Sequence, residues 1–292
     1  LGVVGNGINV VVLSSPKFRD TTSFLLLSLS VADFFASVTE LLFRLPNVIM
    51  YFQLRLADAV FCFYMTYIYF WNLHFVYVSI FYVSLVAVER MIAVCFPFHV
   101  ASLVTMFRVK FITVTGFMFY AALFSPNLNM LYTIRSYDRN NETSLRMAYT
   151  DFYKENYELL IVYRQAVSIL FVYALPILTI TVCTAMVTSA MALNWRNLKK
   201  LSSSHSAKRL KEMKSSKTAL CVCLSMAVFI LIPSFVFDML SVFREDLFPQ
   251  NRNRSTVIYY AMTLIYELNS FLNFIIYVAT SSKFAREFKE LF

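Results

Sequence analysis

The stretch SLVAVERMIAV, residues 84–94, sets an acid and a base side by side, Glu89 and Arg90, inside a run that is otherwise apolar. The run continues in both directions, from about residue 60 to residue 98, far longer than a buried strand or a core helix of a soluble domain. It is one of several. Segments 24–50, 60–98, 111–132, 159–195, 218–243 and 256–279 each hold enough weakly polar length to cross a bilayer, which takes about 20 helical residues. The composition agrees: 59% of the 292 residues are hydrophobic and 15% are charged, against roughly 25% charged in a soluble domain. There is too little polar shell to cover a soluble core of this apolar content.

A seventh apolar stretch, Gly2–Leu13, is only about half a span. Because the chain opens on Leu1, we expect a first helix cut at its outer end. A cleaved signal peptide is the weaker reading, since no basic segment precedes the stretch and no small-residue cleavage site follows it.

The net charge of +9 would suggest nucleic acid as a partner in a soluble protein, but its placement points to a membrane. Lys17 and Arg19, Arg108 and Lys110, the run 196–217, and Lys283, Arg286 and Lys289 fall in alternate loops. In the opposite loops Asp138, Glu142, Asp151, Glu155, Glu158, Glu245 and Asp246 offset the arginines. The positive-inside rule makes the basic side cytoplasmic and the N-terminus external. The two Asn-x-Ser/Thr acceptors, Asn141 and Asn253, both fall on the external side.

The expected architecture is an all-α membrane protein, a single seven-helix domain over residues 1–292, because backbone groups in lipid must be satisfied within each helix or a closed barrel. The external segment 133–158 reads as a long polar loop. The internal segment 197–217 is basic and serine-rich: it is either a solvated extension of two helices or a surface for a cytoplasmic partner, with phosphorylatable serines such as Ser203 and Ser215. After the last span, residues 283–292 place Phe284, Phe288 and Leu291 on one helical face, an interfacial helix on the cytoplasmic leaflet.

Ionisable residues inside a bilayer cost about 2.5–3.5 kcal/mol each on insertion scales, so each needs a partner, a water cavity or a task. Asp33, Glu89 and Arg90 stand in the spans; Glu40, Arg44, Asp238 and Glu267 stand toward their outer halves. Read from the residues alone, Glu89 and Arg90 are either a functional pair or a snorkelling pair at the membrane edge.

The motifs run in an order that resembles the rhodopsin-like (class A) G-protein-coupled receptors over essentially the whole chain. They are Gly5-Asn6, LSVAD at 29–33, ERM with Phe96-Pro97, Pro176, Pro233 and NFIIY at 273–277. The resemblance implies that Arg90 turns from restraint at Glu89 toward a heterotrimeric G protein, with Asn273 and Tyr277 completing the switch. It implies a sodium ion, an allosteric modulator, held by Asp33, Ser79, Asn269, Ser270 and Asn273. All five are oxygen-bearing, as a hard cation requires; the alternative is a buried carboxylate satisfied by waters and amides. It places Glu40, Arg44, Tyr69, Asn72, Val76, Asp238, Tyr259, Thr263 and Glu267 in the ligand pocket, with kinases, arrestin and membrane lipid as further partners and the plasma membrane as location.

The departures are specific. Leu231 stands where the sixth-helix Trp is usual, with Phe229 or Phe235 as substitutes; the fourth-helix Trp is replaced near Gly116. The seventh-helix Pro is Phe274, the fifth-helix Tyr is Thr184, and Met91 follows the arginine where a Tyr is usual. Cys62 lies near the third-helix position of the family's disulfide, but the segment 132–162 has no cysteine. Cys62 is therefore a free thiol or pairs with a residue preceding Leu1. Cys183, Cys221 and Cys223 read as small apolar residues.

Other functions fit poorly. An opsin needs a lysine in the last span, and 256–281 has none. A transporter leads us to expect repeats or Gly/Pro-broken helices. His74, His99 and His205 lie in separate segments, so no helical metal motif of an enzyme is present. Asn72, where amine receptors carry Asp, argues against a biogenic amine. Three acids against Arg44, walled by aromatics, suit a cationic ligand with apolar rings. We expect a short amidated Arg/Phe peptide, in keeping with a similarity to invertebrate FMRFamide-type receptors; the alternative is a chemosensory receptor for an environmental small molecule.

Overall fold

The computed structural model describes residues 1–137, 143–198, 205–233, 235 and 252–292. Among them four helical segments are long and apolar enough to cross a membrane: Thr21–Ile49, Leu54–Cys95, Met106–Asn129 and Tyr157–Leu193. Three shorter apolar ones, Gly2–Leu13, Ser216–Phe229 and Leu264–Thr280, bring the spans to seven. The helices are α1 (Gly2–Leu13), α2 (Thr21–Ile49), α3 (Leu54–Phe63), α4 (Tyr69–Cys95), the short α5 (Val100–Leu103) and α6 (Met106–Phe124). They continue with α7 (Asp151–Glu155), α8 (Tyr157–Val167), α9 (Leu175–Leu198), α10 (His205–Met226), α11 (Arg252–Thr280) and α12 (Ser282–Leu291). The third span begins at Leu54, earlier than the hydropathy suggests, because α3 and α4 run on through one wide π turn, Tyr64–Ile68.

α4 is the hub, packed against α2, α6, α9 and α10, while α1 lies between α2 and α11. Lipid supplies no hydrophobic force between spans, so close approach through small residues does that work. Ser30, Ala32, Ala36 and Ser37 of α2 are all buried, as are Ser79, Ser84 and Ala87 of α4. α6 shows the inverse of a soluble helix. Phe107, Phe111, Val114 and Met118, spaced four, three and four apart, are 61–78% exposed and face lipid, and Val109, Thr113, Gly116 and Tyr120 face the bundle.

Two of the irregular turns accompany prolines. A π turn, Ser168–Ala174, precedes Pro176, and another, Ala227–Leu231, precedes Pro233. In the first, the Leu175 N–H reaches back to Leu170 O. The next residue, Pro176, has no N–H for Phe171 O, and the Tyr120 hydroxyl of α6 donates to that carbonyl at 2.7 Å. α11, where Phe274 replaces the expected proline, runs unbroken.

The segment 133–158 is not an unstructured polar loop. β1 (Leu131–Tyr137) pairs antiparallel with β2 (Thr143–Tyr149), Thr133 opposite Met147 and Arg135 opposite Leu145, and α7 follows, capped by Thr150. Its strands alternate too weakly to stand out beside apolar spans. Met147 and Leu145 share the face toward α3, and Ile134 and Arg146 are exposed.

α12 is capped by Ser281 and docks on the bundle. Phe284 is 1% exposed against Tyr277, ring centroids 5.4 Å apart, and Phe288 packs on Phe274. Of the expected apolar face, Phe284 is buried in the bundle and Leu291 is 48% exposed, while Glu287 is buried beside Lys17. Glu287 and Glu290 are clamped by Lys17, and Glu287 accepts from the Ser15 hydroxyl at 2.6 Å. The Lys17 ammonium and the Ser15 hydroxyl hold the Glu287 carboxyl below the usual range, so the clamp weakens only as acidity approaches that lowered value.

Candidate functional site: three polar clusters along the bundle

Three polar clusters lie along α4. At the α12 end, Arg90 and Glu89 are 9% and 5% exposed. The guanidinium grips the carboxylate in bidentate fashion, Nε to Oε2 and Nη2 to Oε1, each at 2.5 Å. The first turn of α2 closes the latch. Thr22 donates to Glu89 Oε1 at 3.0 Å and accepts from Arg90, and Thr21 donates to the same oxygen at 3.1 Å. The pair is buried and held by hydroxyls of α2, whereas a snorkelling pair reaches for water. Asp20, whose side chain caps α2 through the Ser23 N–H, makes the start of α2 legible; that this turn faces Glu89 is a tertiary fact the sequence reading missed.

Beside Arg90 lies a narrow void bounded by Cys183, Thr184 and Cys223, and the Thr184 hydroxyl, where a Tyr was expected, is buried without a partner. Asn273 and Tyr277 sit elsewhere. Tyr277 is 1% exposed and packed on Phe284, while Asn273 belongs to the next cluster.

About 16 Å along α4, at about 1.5 Å per residue, is Ser79. Its hydroxyl donates to Asp33 Oδ1, and Asn273 Nδ2 donates to Oδ2 at 2.8 Å. Asp33 is 2% exposed. Ser270 turns away from Asp33: its hydroxyl meets Asn6 Nδ2 and Ser37 Oγ, and Asn9 extends the chain to Asn6. Gly5 lets α1 pack closely beside Asn6: a Cβ there would sit 3.0 Å from the Phe271 ring of α11, which would have to give by a few tenths of an ångström. The amide oxygens of Asn269 and Asn273 are buried with no hydrogen-bond partner. One carboxylate, a hydroxyl and two unsatisfied amide oxygens form a donor set that fits a monovalent hard cation or waters. Among the described residues no group of three or more His, Cys, Asp or Glu side chains comes together to hold a transition metal.

The hairpin end carries the third cluster. Arg44 pairs with Glu40 one helical turn away, Nη2 to Oε1 3.0 Å, and its charge also acts on Glu267, which lies against Gly2. Asn72, expected in the pocket, is buried against α2, where its amide donates to Thr39 Oγ1 at 2.9 Å and Ala36 O at 3.3 Å. Val76 packs on the core and Tyr69 opens α4 just after the π turn. Asp238, Asn141 and Ser203 lie outside the described residues, and the side chains of Tyr259, Thr263, Asn253 and Ser215 lie outside them too. Of the two aromatic substitutes for the missing sixth-helix Trp, Phe235 meets Tyr173 at 5.8 Å, whereas Phe229 is 40% exposed; Leu231 is fully buried.

Cys62 is a free, buried thiol whose Sγ donates to Leu145 O at 3.5 Å, and Thr66 meets Thr133 hydroxyl to hydroxyl at 3.0 Å. Weak non-covalent contacts thus tie β1 and β2 to the third span where the family's disulfide was expected. Cys62→Ser keeps a donor at that place, so surface expression and thermal stability should stay within about twofold of the parent, a change of well under 1 kcal/mol. A collapse of surface expression in flow cytometry would show that Cys62 has a covalent partner.

Seven apolar helices, a latched acid–arginine pair at one end and a polar cluster in the middle describe a membrane receptor, and a family comparison agrees. Residues 5–277 match the model of the 7 transmembrane receptor (rhodopsin family), and the chain belongs to that family, one of receptors rather than enzymes. It is 24% identical over 305 residues to an FMRFamide receptor of Drosophila melanogaster, covering all of this chain and 52% of that protein. It is 29% identical over 192 residues to cysteinyl leukotriene receptor 1 of Cavia porcellus, covering 64% of this chain and 52% of that protein. The chain thus spans about half the length of these curated relatives.

Proposed function

We propose that this chain is the seven-helix part of a plasma-membrane receptor, N-terminus outside, that transmits the binding of a short neuropeptide to a heterotrimeric G protein. The carrying observation is the closed Glu89–Arg90–Thr22 latch: a pre-formed, buried restraint on the arginine, at the end of the bundle that sequence charge assigns to the cytoplasm. Release of Arg90 frees a fork of donors at that surface; receptor kinases and arrestin would read the same opened state.

The peptide reading draws on the Drosophila relative and on Glu267, a second acid beside Gly2 that shares the single Arg44 charge with Glu40. The test is a second-messenger screen of the intact receptor with amidated Arg/Phe peptides and small environmental molecules. We expect an amidated cationic peptide to activate it, and Glu267→Gln to lower potency about tenfold, the worth of one charge-assisted hydrogen bond. An unchanged potency for every cationic peptide removes the acidic-pocket reading, and a response confined to small molecules favours the chemosensory alternative.

The middle cluster is read as a sodium site held by Asp33, Ser79, Asn269 and Asn273, with Ser270 beside it engaged by Asn6 and Ser37. A bound cation would neutralise Asp33 and hold α2, α4 and α11 together. Agonist affinity and thermal stability should both depend on sodium, and Asp33→Asn should abolish both dependences. Equal sodium sensitivity in that variant refutes the assignment.

A further inference from the structure

We infer that α12 regulates the switch proposed above, an inference that rests on that reading of Glu89 and Arg90: its polar face holds the turn between α1 and α2, and that turn places Thr21 and Thr22 on the latch. Lys283, Glu287 and Glu290 stand four and three residues apart on α12, one stripe beside the apolar face of Phe284 and Phe288. The stripe meets the turn along its length. Ser15 donates to Glu287, and Lys17 Nζ lies 2.5 Å from a carboxylate oxygen of both Glu287 and Glu290. Lys283 Nζ sits 4.3 Å from the Phe18 ring centroid and 3.7 Å from Asp20 Oδ2.

Asp20 joins this clamp to the latch. The carboxylate that Lys283 engages also caps α2, accepting the Ser23 N–H at 2.9 Å on Oδ1 and the Ser23 hydroxyl at 2.8 Å on Oδ2. The N–H groups in the first turn of a helix have no intrahelical acceptor, and the turn frays without such a cap. Thr21 and Thr22, the next two residues, are the hydroxyl donors to Glu89. Lys17 and Lys283 are therefore positioning residues that act on the latch through the turn. Lifting α12 off the bundle frays the start of α2 and loosens Glu89 and Arg90 from one side.

The test uses full-length receptor in lipid nanodiscs, with two readouts: amide hydrogen exchange over residues 21–26 and basal nucleotide exchange on added G protein. We expect Lys17→Met and Lys283→Met each to speed both about threefold, the scale of a partly exposed ion pair. Asp20→Asn, which keeps the cap and loses the charge, should match Lys283→Met, and the two combined should go no further. Lys289→Met, which removes an exposed α12 charge outside the stripe, should leave both readouts at the parent level. In a Glu89→Gln background, where the latch is already cut, the lysine variants should speed the amides and leave signalling unchanged. Unchanged amide exchange in both lysine variants, or signalling that rises equally in the Glu89→Gln background, overturns the proposal. Parent-level signalling in Glu89→Gln itself refutes the switch on which the inference rests, and is told apart from a failure of the clamp because the amide rates report the turn directly.

Discussion

Arg90→Ala should reduce agonist-driven second-messenger output to baseline while the receptor still reaches the surface and binds ligand. Truncating one partner of a buried ion pair typically costs about 3–5 kcal/mol because the other charge is stranded. Here the loss is softened, since Glu89 keeps the Thr21 and Thr22 hydroxyls as donors. The complementary changes act in the opposite direction. Thr22→Val removes an acceptor from Arg90, and Glu89→Gln removes the charge that holds it. If the latch biases the equilibrium by about 1.4 kcal/mol, basal signalling rises about tenfold when it is cut. A membrane assay of nucleotide exchange, normalised to surface receptor, reads both; full signalling by Arg90→Ala would refute the role.

The second large effect falls far from that latch, at Gly116. A Cβ on Gly116 would lie inside the Phe81 ring, because α6 and α4 meet with that ring across the glycine. Phe81 is in turn held by Tyr82 and Tyr120, centroids 5.9 and 5.6 Å away, so it cannot simply swing aside. Gly116→Leu should therefore destabilise the bundle by about 1–3 kcal/mol, the usual cost of overpacking, and lower surface expression. Phe81→Ala should rescue it. Additive losses in the double mutant, measured by thermal unfolding in detergent, would sink this account.

Much of the architecture was legible because bilayer crossing is a local requirement. About 20 apolar residues must satisfy their own backbone groups, so the span segments, the basic alternate loops and the ordered motifs can be read one at a time. The hairpin was not legible: between Leu131 and Tyr149 the chain is polar enough to pass for a loop, and only packing against α3 shows which face is inward. Spacing puts Asn72 on the pocket side of α4, and that its amide donates to Thr39 and Ala36 of α2 could not be read from that spacing. The same holds for Ser270, an oxygen in the right sequence position that Asn6 and Ser37 claim first.

By itself the sequence determined the class of fold, the family resemblance, the latch pair and the Asp33 position, because each depends on residue type and on spacing along one helix. The tertiary structure alone decided who partners whom. Thr21 and Thr22 close the latch, Tyr120 answers the carbonyl that Pro176 leaves open, and Lys17 clamps α12. A buried polar atom must find a partner in three dimensions, and several candidates of equal chemistry lie within reach of each. Which one it takes depends on how the helices rotate and approach, and that is set by the small residues between spans, which no single helix reveals.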